Sequence, residues 1–190
     1  MRGILIGIAV AAISAAISAT PAGAIDYAKS GDIIPPANYR DWVFLTSSLD
    51  LNYNEPVPGA AAPAKSQLDN VFVNPEAYKV YMKTGTWPDK TVMVKENRVA
   101  APSADEIGKS GKVQEGIISI ELHVKDKKRY PGDGWAFFFS NGKTPTAQYV
   151  ARPASCYTCH EEHGKVDTTF VQFYPTLVDV AKAHKTFKGD

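Results

Sequence analysis

The sequence predicts an α+β fold in which an antiparallel β-sheet is flanked by a few helices. Residues 91–99 and 117–124 alternate between apolar and polar side chains, as strands with one buried face do. Residues 135–139 read WAFFF and are the most apolar stretch after the first 24 residues, so we expect a central strand there. Three helical pieces are expected around these strands.

The N-terminal residues 1–24 have the features of a secretory signal peptide. Arg2 gives a positive start, residues 4–17 are apolar, and residues 22–24 form an A-x-A-like cleavage site. Cleavage would leave residues 25–190 as a single periplasmic domain with no membrane span. The alternative is an uncleaved anchor, although the run is short for a span and diluted by serines. Both readings export the domain.

The charge of the mature chain is close to neutral. The full sequence has 21 basic residues against 20 acidic ones, and Arg2 leaves with the signal peptide. A balanced charge argues against a nucleic acid or an anionic membrane as partner.

The first third of the mature chain contains weak signals. Residues 25–36 are predicted to be a loose arm. Residues 38–45 are predicted to be a helical turn that leads into a strand, with Trp42 and Phe44 in the core. Residues 55–64 contain three prolines and a glycine and are predicted to be a surface loop. Residues 71–73 read as a short strand.

A helix is predicted over residues 75–83. Asn74 can cap its start, proline suits its first position, and Gly85 is a natural stop. Its inner stripe is predicted to contain three residues: Ala77, Val80 and Tyr81. In the strand that follows, the side chains at 92, 94 and 96 are expected on one face and those at 93, 95 and 97 on the other.

The second half of the chain is predicted from turn and strand signals. Residues 100–116 are rich in glycine, serine and charge, and suit a mobile lid or a plain surface loop. In the strand at 117–124, residues 118, 120, 122 and 124 are expected to face one way. Asn141-Gly142 suits a type I′ hairpin turn. Residues 167–170 look like the cap of a last helix, which Pro175 restarts and which continues toward His184.

The motif Cys156-Tyr157-Thr158-Cys159-His160 predicts covalent attachment of a c-type haem near the C-terminus. Each thiol would bond to a haem vinyl group, and His160 would be the axial ligand of the iron. A C-x-x-C pair also occurs as a redox dithiol, half of a zinc site or a short-loop disulfide. A zinc site needs four ligands and the chain has no other cysteine, while a thioredoxin-like dithiol would follow a βαβ pattern that we do not find. With both cysteines used by haem, no disulfide is expected.

Seven stretches of the sequence resemble the cytochrome P-460 family and its relatives, the cytochromes c′-beta. The shared stretches are residues 38–43, 73–78, 83–85, 91–96, 135–137, 156–160 and 170–175. The resemblance implies an antiparallel sheet with helices, a homodimer, and a five-coordinate iron bound by His160. It also implies that Lys95 is covalently linked to the porphyrin, because residues 91–96 match the cross-link strand of the family. The ordinary alternative is that Lys95 is a solvent-exposed lysine that protects the sheet from unwanted pairing.

The resemblance implies a small nitrogen-oxide substrate. Members of the cross-linked branch oxidise hydroxylamine to nitrous oxide or nitric oxide, and we expect this chain to pass the electrons to a soluble periplasmic cytochrome. The c′-beta branch binds nitric oxide without turnover, and a simple electron carrier is a third possibility. Two departures stand out: Asp69 replaces a basic residue of the family, and residues 148–152 lack the carboxylate that precedes the haem motif in active members.

Candidate pocket residues follow from the same expectations. An open sixth coordination site is expected in an aromatic pocket, with Phe72, Phe137 and Phe139 either lining it or forming plain core. Three histidines are possible sixth ligands, namely His123, His163 and His184. Met82 and Met93 lie on a helix and a strand and are not expected to reach the iron.

Overall fold

The computed structural model describes residues 25–51, 65–104, 106–108 and 110–189. The predicted signal peptide at 1–24 and the predicted surface loop at 55–64 lie outside these described residues. Within the described residues, no helix has both the length and the apolar composition that crossing a membrane requires.

The strands form a two-stranded ribbon and a six-stranded sheet, both antiparallel. The ribbon consists of β1 (Asp26–Tyr27) and β2 (Ile33–Ile34). The sheet consists of β3 (Val43–Leu49), β4 (Gln67–Val73), β5 (Val92–Pro102), β6 (Lys112–Lys125), β7 (Trp135–Ser140) and β8 (Gln148–Val150). Each strand of the sheet is hydrogen-bonded to its successor in the chain. Because neighbouring strands are antiparallel, no crossover connection is needed between them.

Three α-helices accompany the sheet in the part of the chain that the structure describes, so the predicted α+β class is confirmed. They are α1 (Pro75–Thr84), α2 (Ser155–His163) and α3 (Pro175–Ala183). The proline and glycine signals of α1 are where the sequence predicted them, but Asn74 does not cap the helix with its side chain, because its Oδ1 accepts from Val92 N–H at 2.8 Å instead. Proline is at its first position, and Gly85 ends it in the left-handed conformation with its N–H donating to Tyr81 O.

The two faces of the sheet pack against different parts of the chain. Alternation along β5 sends Val92 and Val94 to one face and Met93 to the other, as the sequence predicted. The helix-side core contains Leu45, Val71, Val73, Ala77, Tyr81, Trp87, Met93, Trp135, Val166, Val171, Tyr174, Leu177 and Ala181. The N-terminal core contains Ile33, Tyr39, Trp42, Val92, Val94, Ile120, Leu122, Val124, Ala136, Phe138 and Ala147.

The N-terminal segment is not the loose arm that its composition predicted. Ile33 is buried in the N-terminal core, and its backbone exchanges two hydrogen bonds with Ala147, at 3.0 and 2.7 Å. A polar, proline-ended segment is held here because it covers a sheet face that would otherwise expose apolar side chains to water.

Phe44 and Val80 are more exposed than the sequence predicted. Phe44 is 53% exposed, because it lies on the edge strand β3 just before a register shift at Phe44/Thr46, whereas Trp42 is buried as predicted. Val80 is 38% exposed, since the buried stripe of α1 runs through Ala77 and Tyr81 toward Tyr78 instead.

About half of the predicted loop at 100–116 is strand. β5 continues to Pro102 and pairs there with Lys112 of β6, so only residues 103–111 connect the two strands. This hairpin extends past β7, whose pairing with β6 starts at Ile120, and Ile118 is therefore 37% exposed rather than buried.

The predicted type I′ turn is also wrong. β7 and β8 are joined by residues 141–147, and of Asn141 and Gly142 only the glycine has a positive φ. A type I′ turn needs positive φ at both central residues.

Candidate haem site

A cavity of about 350 Å³ lies between the helix-side face of the sheet and the C-terminal part of the chain. This volume is within the range of roughly 300–1,000 Å³ typical of ligand pockets. Strand residues on the sheet side include Asp69, Lys95, Glu121, His123 and Phe137. The opposite side includes Cys156, Cys159, His160, Phe170, Phe173 and Tyr174.

The sequence motif is on the first turns of α2, a helix that the sequence analysis missed. Residues three and four apart share one face of a helix, so Cys156, Cys159 and His160 all face the cavity. The intervening Tyr157 is buried, and its hydroxyl donates to Val150 O at 2.8 Å. That contact fixes the helix against β8 and thereby sets which face carries the thiols.

The geometry of His160 suits an axial iron ligand. Its Nδ1 is 2.8 Å from Thr168 O, and because a carbonyl only accepts, Nδ1 carries the proton. Nε2 of the neutral ring is then left to bind a metal. Burial and, to a lesser degree, Lys95 lower the pKa of His160, although the hydrogen bond to Thr168 opposes this. The donor set of two thiols and a neutral imidazole on one cavity wall fits a covalently attached haem.

The turn that presents Thr168 O to His160 is tightly defined. Asp167 and Thr168 have φ of 51° and 59°, so two consecutive residues other than glycine are left-handed. A Cβ on Gly164 would lie 2.5 Å from His160 O and 2.6 Å from Thr168 C, so only glycine allows this approach. Residues 167–170 therefore form a turn and not the predicted helix cap, and α3 begins at Pro175.

Lys95 is on the cavity wall formed by β5. Its side chain is 24% exposed, and Nζ lies 3.4 Å from Glu121 Oε2. Asn97 Nδ2 donates to Glu121 Oε1 at 2.6 Å and holds that carboxylate in place. The lysine that the sequence singled out thus faces the same cavity as the cysteines and His160.

Asp69 is a second carboxylate in the cavity wall. It is 2% exposed and accepts a 3.0 Å hydrogen bond from Gln67 Nε2. Burial raises the pKa of Asp69, and the charge of Lys95 partly opposes that rise. The sequence identified Asp69 as a departure from the family pattern, but only strand register shows that it faces the cavity.

The predicted aromatic lining is correct for one residue of three. Phe137 lines the cavity. Phe72 is on the other face of the sheet, where its ring centroid is 5.7 Å from that of Tyr39. Phe139 shares a face with its partner Glu121 but is 46% exposed and outside the cavity. The sequence analysis missed the aromatic residues after the motif, Phe170, Phe173 and Tyr174.

Of the three candidate histidines, only His123 lines the cavity, while His163 and His184 are exposed. The His123 ring stacks on Phe137 at 4.1 Å and is 4.9 Å from the ring of His160. Burial is the main cause that lowers its pKa well below the usual value, so it is neutral. Met93 also lines the cavity, and Met82 is exposed.

Other uses of the C-x-x-C pair fit less well. The six-stranded sheet is antiparallel throughout and offers no βαβ unit. Among the described residues, no three His, Cys, Asp or Glu side chains form a cluster that would hold a metal ion. Burial raises the pKa of Cys159, whereas a reactive dithiol needs a lowered one.

Comparison with known protein families matches residues 36–171 to the family described as Cytochrome P460. The matched region runs from just before Tyr39 through the haem motif to Val171. A search of curated proteins gave no match.

Proposed function

The chain belongs to the cytochrome P460 family, a class of haem cytochromes, and on that premise we propose that it is a periplasmic enzyme that oxidises hydroxylamine. The products would be nitrous oxide or nitric oxide. Haem c would be attached through Cys156 and Cys159, with His160 on the iron and Lys95 linked to the porphyrin.

One observation carries this proposal: Lys95 and the haem motif line the same cavity from opposite sides. They are on different elements, β5 and α2, and far apart in sequence. Lys95 pairs with Glu121 on its own wall of the cavity and lies across that cavity from the two thiols. The arrangement is what a cross-link between Lys95 and a haem held by Cys156 and Cys159 requires.

Bound haem would supply an iron coordination position for the nitrogen of hydroxylamine and would accept its electrons. Side chains of the protein must accept the protons that hydroxylamine loses on oxidation. Oxidation of an N–H and O–H substrate requires a base within reach.

Asp69 and Glu121 are the bases that the cavity offers. The raised pKa of Asp69, caused mainly by burial, brings this carboxylate closer to the pH at which it can take a proton and release it again. Glu121 is more exposed, at 40% of its side chain, and provides an exit to solvent. Together they supply the carboxylate that residues 148–152 lack.

Binding of nitric oxide without turnover is the second candidate. Its supporting observation is the apolar and aromatic part of the cavity, including Val71, Met93, Phe137 and Phe170, which suits a small uncharged ligand. Lys95 favours the first candidate, because the c′-beta relatives lack that lysine.

The test uses mature holoprotein made with the c-type maturation machinery. Hydroxylamine is added with an artificial electron acceptor, and acceptor reduction and gaseous products are measured. We expect turnover, and we expect Asp69→Asn to lower kcat by about 100-fold, the scale of a lost general base. The matched control is Asp179→Asn, an exposed carboxylate on α3, which should not change kcat. Nitric oxide binding with no turnover in the wild type would replace this proposal by the second candidate.

The remaining parts of the proposal concern partners. Electrons would pass to a soluble periplasmic cytochrome, and the chain would form a homodimer. A purified acceptor cytochrome that becomes reduced only in the presence of hydroxylamine and this protein would test the first. The mass of the holoprotein in solution would test the second.

A further inference from the structure

The turn at Asp167–Thr168 combines backbone strain with a contact to the haem motif. Non-glycine residues rarely adopt positive φ, and such strained residues concentrate at functional sites. Here both residues are left-handed, and the second is a β-branched threonine. The carbonyl of that threonine is the one that accepts from His160 Nδ1.

An ion pair holds this turn from the sheet. Lys125, at the end of β6, has a side chain only 6% exposed and pairs with the carboxylate of Asp167. The same Lys125 Nζ donates to Trp87 O at 2.9 Å and lies 5.3 Å from the centre of the Trp135 ring. A lysine this deeply buried is costly unless its partner is fixed.

Trp87, whose carbonyl accepts from Lys125, makes a second contact with the same turn. Trp87 Nε1 donates to Thr169 Oγ1 at 2.9 Å, and that hydroxyl donates to Val166 O at 2.6 Å. Residues 166–169 are therefore held by two contacts, one from Trp87 before β5 and one from Lys125 at the end of β6. The contacts just described do not include Lys95, Asp69 or Glu121.

We propose that Lys125 and Asp167 are positioning residues: their ion pair holds the strained turn so that Thr168 O accepts the Nδ1 proton of His160, and this sets how strongly His160 donates to the haem iron. A hydrogen bond from the far nitrogen of an imidazole raises the electron density on the ligating nitrogen. Weakening the ion pair lets the turn relax, lengthens that hydrogen bond and makes His160 a poorer donor. This inference rests on haem ligation by His160 and is independent of hydroxylamine turnover.

The test compares holoproteins of the wild type and Lys125→Met, a replacement of similar length without charge. The measurements are the iron–histidine stretching frequency of the ferrous protein by resonance Raman and the reduction potential. A weaker donor gives a lower stretching frequency and a higher potential, because the ferric state loses stabilisation. Asp167→Asn should shift both quantities in the same direction.

The matched control is Lys90→Met. Lys90 pairs with Asp126 at 2.6 Å beside the same end of the sheet, and none of its ion-pair contacts involve residues 164–169. It should leave both measurements at the wild-type values. The double variant Lys125→Met/Asp167→Asn removes both charges, so that neither is left without its partner. If a single variant does not fold, the frequency and the potential are measured on this double variant instead.

Wild-type values of frequency and potential in folded, haem-loaded Lys125 and Asp167 variants would overturn the inference. If the iron–histidine stretch of the ferrous protein is unchanged in a His160→Gly variant, haem ligation by His160 is wrong and the inference is overturned together with that assignment. Shifted spectra in a protein that does not oxidise hydroxylamine would support the inference while contradicting the proposed activity.

Discussion

Lys95 Nζ lies 3.4 Å from Oε2 of Glu121, its register partner on the neighbouring strand. An ammonium ion has no free lone pair and is not a nucleophile. Bonding to an oxidised porphyrin edge would require that proton to leave first, and Glu121 is near enough to receive it.

The first prediction is a covalent link between Lys95 and haem. After digestion of mature, peroxide-treated protein, mass spectrometry should find the Lys95 peptide joined through haem to the peptide containing Cys156–His160. Lys95→Leu should give an ordinary haem c spectrum. Lys128→Leu, at an exposed position of the same protein, should keep the wild-type spectrum. Recovery of unmodified Lys95 peptide in good yield would show that the link does not form.

The second prediction concerns the thioether bonds. Because Cys156 and Cys159 share one helix face toward the cavity, each should bond to haem. Replacing either by alanine should leave one bond and weaken haem retention, and replacing both should release all haem on acid and organic extraction. Quantifying extracted haem is the measurement. Complete release from the wild type would contradict the site assignment.

The third prediction is a pH-dependent gain of stability in Asp69→Asn. Burial raises the pKa of Asp69 in the folded state above its unfolded value of about 3.9, although the charge of Lys95 opposes the rise. Its favourable contribution is therefore complete only below the unfolded pKa and is lost as the pH rises through the folded pKa. At neutral pH the variant should have a higher Tm than the wild type, and the difference should shrink toward pH 4. A variant less stable at neutral pH would show that the ionised form is stabilised by its surroundings.

The fourth prediction concerns Glu96, on the face of β5 opposite to Lys95. This carboxylate is 2% exposed and accepts hydrogen bonds from Tyr39, Arg40 and Arg98. Burial acts to raise its pKa, but those three hydrogen bonds outweigh burial and lower it. Glu96→Gln should cost about 2 kcal/mol at neutral pH, the scale of a hydrogen bond to a charged group.

The sign of the pH dependence follows from that lowered pKa. The stabilising contribution of Glu96 is present above the unfolded pKa of about 4.3 and is lost as the pH falls through the folded value. Wild type and variant should therefore converge in acid when unfolding is followed by circular dichroism. The exposed Glu115→Gln is the control, and an equal loss of stability in that variant would contradict a specific role for Glu96.

Local signals in the sequence were sufficient for the elements whose pattern matches their final environment. The alternation in β5 predicted which residues share a face with Lys95, because both faces of that strand are covered. Pro75 and Gly85 predicted the ends of α1, since each acts through the backbone conformation of its own residue.

Long-range packing decided the features that the sequence did not predict. Ile33 is buried because it pairs with Ala147 and packs into the N-terminal core. Phe44 is exposed because β3 is an edge strand. Neither environment can be predicted from the residues adjacent in sequence. Asp69 reaches the cavity through the register of β4 against β5, which no single-strand pattern specifies. The helix under the haem motif was missed because its sequence has no regular apolar stripe, only the buried Tyr157.

The order of strands in the sheet has a further consequence for the unfolded chain. A haem bonded to both Lys95 and Cys156 would join the middle of the sheet to the helix that follows its last strand, and so enclose β6, β7 and β8 in a covalent ring of about 60 residues. A chain closed in this way has fewer conformations available after denaturation, which is worth about 4 kcal/mol for a ring of this size by the chain-entropy relation used for disulfides. Heat could separate the strands, yet the haem would remain as a covalent cross-link between residues 95 and 156. Refolding would then begin from a chain in which these two segments are already held together.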